Sequence, residues 1–220
     1  MKQQFDNHDE RIRYYELMLE RDLEGILYFP LPEGYRYVFY QDGDRDHWID
    51  IEKSAKEFTS YEQGLEAWNK YYGGRENTLT NRMVFIEDAE GRKAATATAY
   101  YDVRKIDRSG DGWLHWVAVR REYQGHGLAK PLITHVLDIM RKLGYTHAKI
   151  PTQTTTWLAC KIYLDLGFRP IPQNAVHSRD GWRIVKALTN HAALEMFDAA
   201  KADEIIKDYT MLEEERKRCK

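Results

Sequence analysis

The stretch VAVRREYQGHGLAKPL, Val117 to Leu132, decides how the rest of the chain is read. Val117, Ala118 and Val119 close an apolar run that begins at Trp113, the mark of a buried strand. A short polar loop carries Gly125 and Gly127, and a helix is expected at once, over Gly127 to Leu143, with Gly144 placed to end it. The N–H groups at a helix start have no intrahelical acceptor, and the aligned peptide dipoles add roughly half a positive charge there. Glycine lets an anion approach the backbone, so Gln124, Gly125, His126, Gly127, Leu128, Ala129 and Lys130 read as a phosphate loop. The competing reading is a tight strand-to-helix turn with no ligand. Pro131 suits either, because in the first turn of a helix its missing N–H leaves no bond unmade.

Two other phosphate loops are excluded. No G-x-x-x-x-G-K-[ST] occurs, and Lys130 stands where a dinucleotide-binding G-x-G-x-x-G would need its third glycine.

Working outward, a strand is expected at Ala148 to Gln153 and a helix at Thr156 to Asp165, closed by Gly167. Upstream, strands are expected at Tyr35 to Tyr40, Met83 to Glu87 and Lys93 to Val103, with turns at Asp88 to Gly91 and Arg108 to Gly112. Helices fit Arg45 to Phe58 and Tyr61 to Tyr71, the second capped by Ser60 and stopped by Gly73 and Gly74. Their aromatic residues Trp48, Phe58, Tyr61, Trp68, Tyr71 and Tyr72 could be core or could wall a pocket. A last strand is expected at Trp182 to Leu188. Ile12, Tyr15, Leu19 and Leu23 suggest an amphipathic helix over Asp9 to Leu27, and His191 to Lys220 reads as helical. The expected organisation is thus an α/β domain over residues 35–189, with helical extensions at 1–34 and 190–220 that pack on it or mediate a homodimer.

The 220 residues carry a formal net charge of −2, which gives no electrostatic case for a nucleic-acid partner. Cys160 and Cys219 make no disulfide framework. The N-terminus is polar, and no window approaches the roughly 18 consecutive apolar residues of a membrane span, so a cytoplasmic protein without a membrane partner is expected. The histidines and cysteines lack metal-ligand spacing, so no metal is expected.

Two motifs together resemble the GNAT superfamily. Its [QR]-x-x-G-x-[GA] between strand and helix stands here as Gln124, Gly127 and Ala129; its downstream alanine, tyrosine and glycine-phenylalanine stand as Ala159, Tyr163, Gly167 and Phe168. The resemblance implies an α/β (α+β) acyl-CoA N-acyltransferase fold, a mixed splayed sheet flanked by helices. It implies acetyl-CoA as donor, with pantetheine amides on Val117, Ala118 and Val119 and the pyrophosphate on the loop Gln124 to Ala129, beside Lys130. Thr156 stands where the family often has an asparagine that reaches the cofactor arm. Tyr163 matches a tyrosine that serves as general acid at the sulfur, or else only packs. His115 lies on a strand similar to that of arylalkylamine N-acetyltransferases and is either the base or a core histidine, with Glu52, Glu87 or a water chain as substitutes. By alternation His115 should share a side with Trp113 and Val117. The acceptor implied is a small-molecule or peptide amine; a non-catalytic acyl-CoA sensor or scaffold is the alternative.

Overall fold

A computed structural model describes residues 8–101, 111–171 and 176–197. In chain order the elements are β1 (Glu16–Asp22), β2 (Arg36–Phe39), α1 (Arg45–Ser54), α2 (Tyr61–Tyr71), β3 (Met83–Glu87), β4 (Lys93–Tyr101), β5 (Gly112–Val119), α3 (Ala129–Lys142), β6 (His147–Gln153), α4 (Trp157–Asp165), β7 (Arg169–Pro170) and α5 (Val176–Thr189). Of the described residues, 22–101 and 111–148 form one compact unit, and 8–21, 149–171 and 176–197 form another.

In the first unit β2, β3, β4 and β5 make consecutive antiparallel pairs. The β3–β4 turn is set by Asp88, whose carboxylate accepts from the N–H groups of Glu90 and Arg92. Alternation along β4 gives the sheet two different faces. Thr96, Thr98 and Tyr100 face α1 and α2, where Tyr72 donates to Thr98 Oγ1 at 3.1 Å. Ala95, Ala97 and Ala99 face the other way, and with Gly112, close to Met140 of α3, they leave α3 room to pack. The α1–α2 face holds a core of Tyr40, Trp48, Ile49, Ile51, Trp68, Tyr72, Phe85 and Tyr100. Helix α2 begins as expected, with the Ser60 hydroxyl accepting from Gln63 N–H. Helix α1 is shorter than expected and ends at Ser54, before Phe58.

In the second unit β1 lies between β6 and β7 and runs antiparallel to β7, pairing Leu19 with Pro170. Ile12, Tyr15, Trp157, Ile184, Ala187 and Leu188 share its core. Two sequence expectations fail here. The helix over Asp9 to Leu27 is instead strand β1: Tyr15, Leu17 and Leu19 are buried in alternation, while Glu16 and Glu20 are exposed. The strand over Trp182 to Leu188 is instead part of α5, because Ser178, Trp182, Val185 and Leu188 lie three or four residues apart on one buried face. Past Thr189 only a short 3₁₀ turn at Ala192–Leu194 is described. The turn at residues 108–110, the end of β4 at Val103 and the C-terminal segment with Cys219 lie outside the described residues.

Candidate functional site

The phosphate-loop reading rests on backbone conformation. Gly125 and Gly127 adopt φ of +78° and +80°, a region in which a side chain is strained. Among the described residues nothing stands within 4 Å of a Cβ placed on Gly125, and only Pro32 Cγ, at 3.8 Å, approaches one on Gly127. Both glycines are therefore required by the turn, and the space beside them is open. Helix α3 then starts at Ala129 with Leu128 as its N-cap and no side chain capping it, so its first N–H groups lack intrahelical acceptors. Gln124 turns its amide inward: Nε2 donates to the Val119 carbonyl at 3.1 Å, and the buried Oε1 meets no donor among the described residues.

Two tyrosines brace the loop. Tyr35 Oη lies 2.8 Å from His126 Nδ1. Tyr123 donates to Asp88 Oδ2 at 2.6 Å, and Arg92 pairs with the same oxygen at 2.7 Å. The Tyr123 hydrogen bond, with those of Arg92, holds the Asp88 carboxyl well below the usual carboxylate range. Lys130 reaches over the Phe29 ring.

Strand β5 carries a feature that no residue spacing announces. Thr98 pairs with His115 and Thr96 with Ala118, so Trp116 and Val117 together face the single residue Ala97. Trp116 takes φ of +49°, a strained value for an aromatic residue. The bulge turns Trp116 to the α1–α2 face, where it packs with Ala118 against the aromatic core. The expected alternation therefore fails after His115: Trp113, His115, Trp116 and Ala118 share that face, and Val117 does not.

His115 is enclosed by rings. Tyr100 stacks on it at 4.8 Å, and Tyr71 meets it edge-on at 4.8 Å. The two substitute acids differ sharply. Burial raises the Glu87 carboxyl, but hydrogen bonds from Lys93 and Arg36 outweigh this and leave it lowered, an ion pair rather than a base. Glu52 has no such partners among the described residues. Burial, then the nearby Glu57 charge, pushes its carboxyl well above the usual range.

In the second unit Thr156 commits its hydroxyl to the Gln153 carbonyl at 3.0 Å and lies 3.2 Å from Thr152 Oγ1. Tyr163 is buried, with its ring edge-on to Phe168 at 5.9 Å. Cys160 is fully buried, and burial lifts its thiol to about 12, which leaves no thiolate for nucleophilic work. Among the described residues no group of three His, Cys, Asp or Glu side chains could hold a metal ion, and no helix is long and apolar enough to cross a membrane.

The family model described as the acetyltransferase (GNAT) family matches residues 19–168, which run from Leu19 inside β1 to Phe168 and include the loop, His115 and Tyr163. No match is found among curated proteins. Among solved structures, a GCN5-related N-acetyltransferase from Sphaerobacter thermophilus matches 73% of this chain and 49% of its own, with TM-score 0.56 and 18% identity. An acetyltransferase of the same family from Colwellia psychrerythraea matches 74% of this chain and 55% of its own, at 0.54 and 13%. The GCN5-related glucosamine N-acetyltransferase region of a fungal multi-domain GH3 β-N-acetylglucosaminidase matches 74% and 20%, at 0.54 and 12%. At these identities the likeness is one of fold. This chain spans about half, or less, of the length of the structures it matches.

Proposed function

The chain belongs to the acetyltransferase (GNAT) family, and on that premise we propose that it moves an acetyl group from acetyl-CoA directly to the amine of a small-molecule or peptide acceptor. The observation that carries this reading is the uncapped start of α3 behind two left-handed glycines with open space beside them. Such a start offers several converging N–H groups to a pyrophosphate without any basic side chain. The residues that would hold the donor are Gln124, Gly125, His126, Gly127, Leu128, Ala129 and Lys130 at the phosphates, with Val117, Ala118 and Val119 along the pantetheine arm. Thr156 would contribute only if its hydroxyl left the Gln153 carbonyl.

Acetyl-CoA supplies a thioester carbonyl carbon open to attack. A C–N bond forms, the C–S bond breaks, one proton leaves the amine and one is taken up by the departing sulfur. His115 is assigned the first proton and Tyr163 the second. The ion-paired state of Glu87 argues against it as the base.

The test is release of free thiol from acetyl-CoA across a broad amine panel, with product mass checked for the added acetyl group. Amine-dependent thiol release with acetylated product is expected. Acetyl-CoA binding without transfer to any acceptor would overturn the enzymatic reading and leave a binding domain.

A further inference from the structure

Helix α3 borders a cleft on the side of the sheet away from α1 and α2. Residues 23–29 form its other wall, and its volume is about 580 Å³, within the roughly 300–1,000 Å³ of small-molecule sites. The direction of this segment is fixed at both ends. Leu23 N–H donates to the Thr146 carbonyl, past the end of α3, at 2.8 Å, and the Phe29 ring lies under the Lys130 ammonium, at the start of α3, at 5.8 Å. The segment therefore runs antiparallel to α3, and the chemistry of the cleft is sorted along its length.

Rings and apolar groups gather toward the start of α3. Leu27 and Tyr28, 56% and 83% exposed, stand at the mouth, and Phe29 and Pro131 line the cleft further in. Tyr37 of β2 stacks on His135 at 3.9 Å, with the rings 6° from parallel, which gives the cleft a flat wall. Burial, then the Lys142 charge, lowers the His135 imidazole from its ordinary value, so near neutral pH this wall carries no charge. Toward the end of α3 the lining brings both signs of charge together: Glu24 from the segment, Asp138 and Arg141 from the helix. Asp138 meets Arg141 on one oxygen and Lys142 on the other, each at 2.7 Å. Arg141 uses only Nε and Nη2 for that contact, so its Nη1 donors make no bond among the described residues. Two carboxylates and two cations balance at this end. A ligand of one sign gains nothing net from such a group, whereas a zwitterion meets a partner for each of its charges.

We propose that the cleft binds an α-amino acid with an aromatic side chain, its carboxylate on Arg141, its ammonium between Glu24 and Asp138 and its ring among Tyr28, Phe29 and Tyr37, and that its occupation tightens acetyl-CoA binding at the neighbouring loop. The second half rests on the acyl-transfer reading above. The coupling follows from where the segment goes next. Phe29 contacts Lys130, Pro32 Cγ lies 3.8 Å from a Cβ position on Gly127, and Tyr35 Oη lies 2.8 Å from His126 Nδ1. A ligand that fixes Phe29 thus fixes a strap that touches the loop at three residues. This amino acid is an effector and not the acetyl acceptor, because His115 faces α1 and α2 while the cleft lies on the α3 side.

The experiment is calorimetric titration of the full chain with L-tryptophan and L-phenylalanine, against tryptamine, which lacks the carboxylate, and indole-3-propionate, which lacks the ammonium. L-tryptophan should bind at least about tenfold more tightly than either analogue, since each removes a charge-assisted hydrogen bond. Arg141→Gln should weaken L-tryptophan by at least about tenfold and erase its advantage over tryptamine, with acetyl-CoA affinity in the absence of amino acid unchanged. With L-tryptophan saturating, acetyl-CoA should bind at least about fivefold more tightly, and acetyl-CoA should strengthen L-tryptophan binding by the same factor. An analogue that binds as tightly as L-tryptophan, no heat of binding from either amino acid at millimolar concentration, or full affinity in Arg141→Gln would overturn the site. An acetyl-CoA affinity that bound tryptophan leaves unchanged would overturn the coupling. The two readings fail separately. Recovery of N-acetylated tryptophan would overturn the effector role and support acyl transfer, whereas tryptophan binding by a protein that takes up no acetyl-CoA would remove the donor reading and leave the cleft standing.

Discussion

In the proposed reaction Tyr163 and His115 are assigned the proton transfers, and the Tyr163 hydroxyl can be removed with little disturbance to its surroundings. Tyr163→Phe keeps the ring that packs against Phe168 and deletes only the hydroxyl. A positioned acid is worth about 10²- to 10⁴-fold in rate, so kcat should fall in that range while CoA affinity stays unchanged; full turnover would return Tyr163 to a packing role. His115→Ala should lower kcat and erase the acidic limb of the pH–rate profile, since only a neutral imidazole accepts a proton. A retained limb would move the base elsewhere. A third residue-level prediction concerns Tyr123, whose hydroxyl donates to Asp88 and, with Arg92, keeps that carboxyl depressed. A group depressed in the folded state adds stability that is present above its unfolded pKa and is lost as pH falls through the folded one. Tyr123→Phe should therefore lower the melting temperature near neutral pH, and the gap from wild type should close as pH drops below the usual carboxylate range. A gap that stays constant down to strongly acid pH would show that the bond to Asp88 does not matter.

Between elements, a tight constraint is the α1–α2 contact at Gly64. A Cβ there would lie 2.6 Å from Ile49 Cγ2 and 3.3 Å from Phe58 Cδ2. Helix propensity favours Gly64→Ala by about 1 kcal/mol, but overpacking costs about 1–3 kcal/mol, and the second effect should win. A net loss of about 1 kcal/mol lowers the melting temperature by about 2–4 °C in a chain of this size. An unchanged or raised melting temperature would mean that the helices separate freely. Gly64 also shows what the sequence could convey. The limits of α2 and β3 could be read from the Ser60 cap and the Met83 to Glu87 run, because caps and short apolar runs are local signals. The spacing of Tyr15, Leu19 and Leu23 could not decide between helix and strand, since an interval of four satisfies both periods; only the burial of Leu17 between them does. In α5, Ile184 and Val185 imitated a strand, while the helical stripe from Ser178 to Leu188 depended on what α5 packs against. The loop Gln124 to Ala129 was legible because its glycines and helix start are contiguous. The bulge at Trp116 and the unpartnered state of Glu52 were not, because register and burial arise only when distant segments meet.

Across the whole chain, ligand binding and stability are one linked quantity, and this gives the donor site a test that needs no acceptor. A ligand that binds only the native state, present at a hundred times its Kd, adds about 2.7 kcal/mol to stability. At about 2–4 °C per kcal/mol, acetyl-CoA should raise the melting temperature by about 5–11 °C. Gly127→Val places a β-branched residue at φ of +80°, where the strain is about 1–2 kcal/mol, so the variant should melt lower than wild type even without ligand. That fall alone would be ambiguous, because any left-handed glycine gives it. Gly144 resolves the ambiguity: it ends α3 at φ of +91°, with open space around its Cβ position and no role at the loop. Gly144→Val should lose comparable stability and keep the full acetyl-CoA shift, whereas Gly127→Val should lose the shift as well. If both variants keep it, the phosphates are bound somewhere other than the turn between β5 and α3. If both lose it, the effect reports general loosening of α3, and the loop carries no specific assignment.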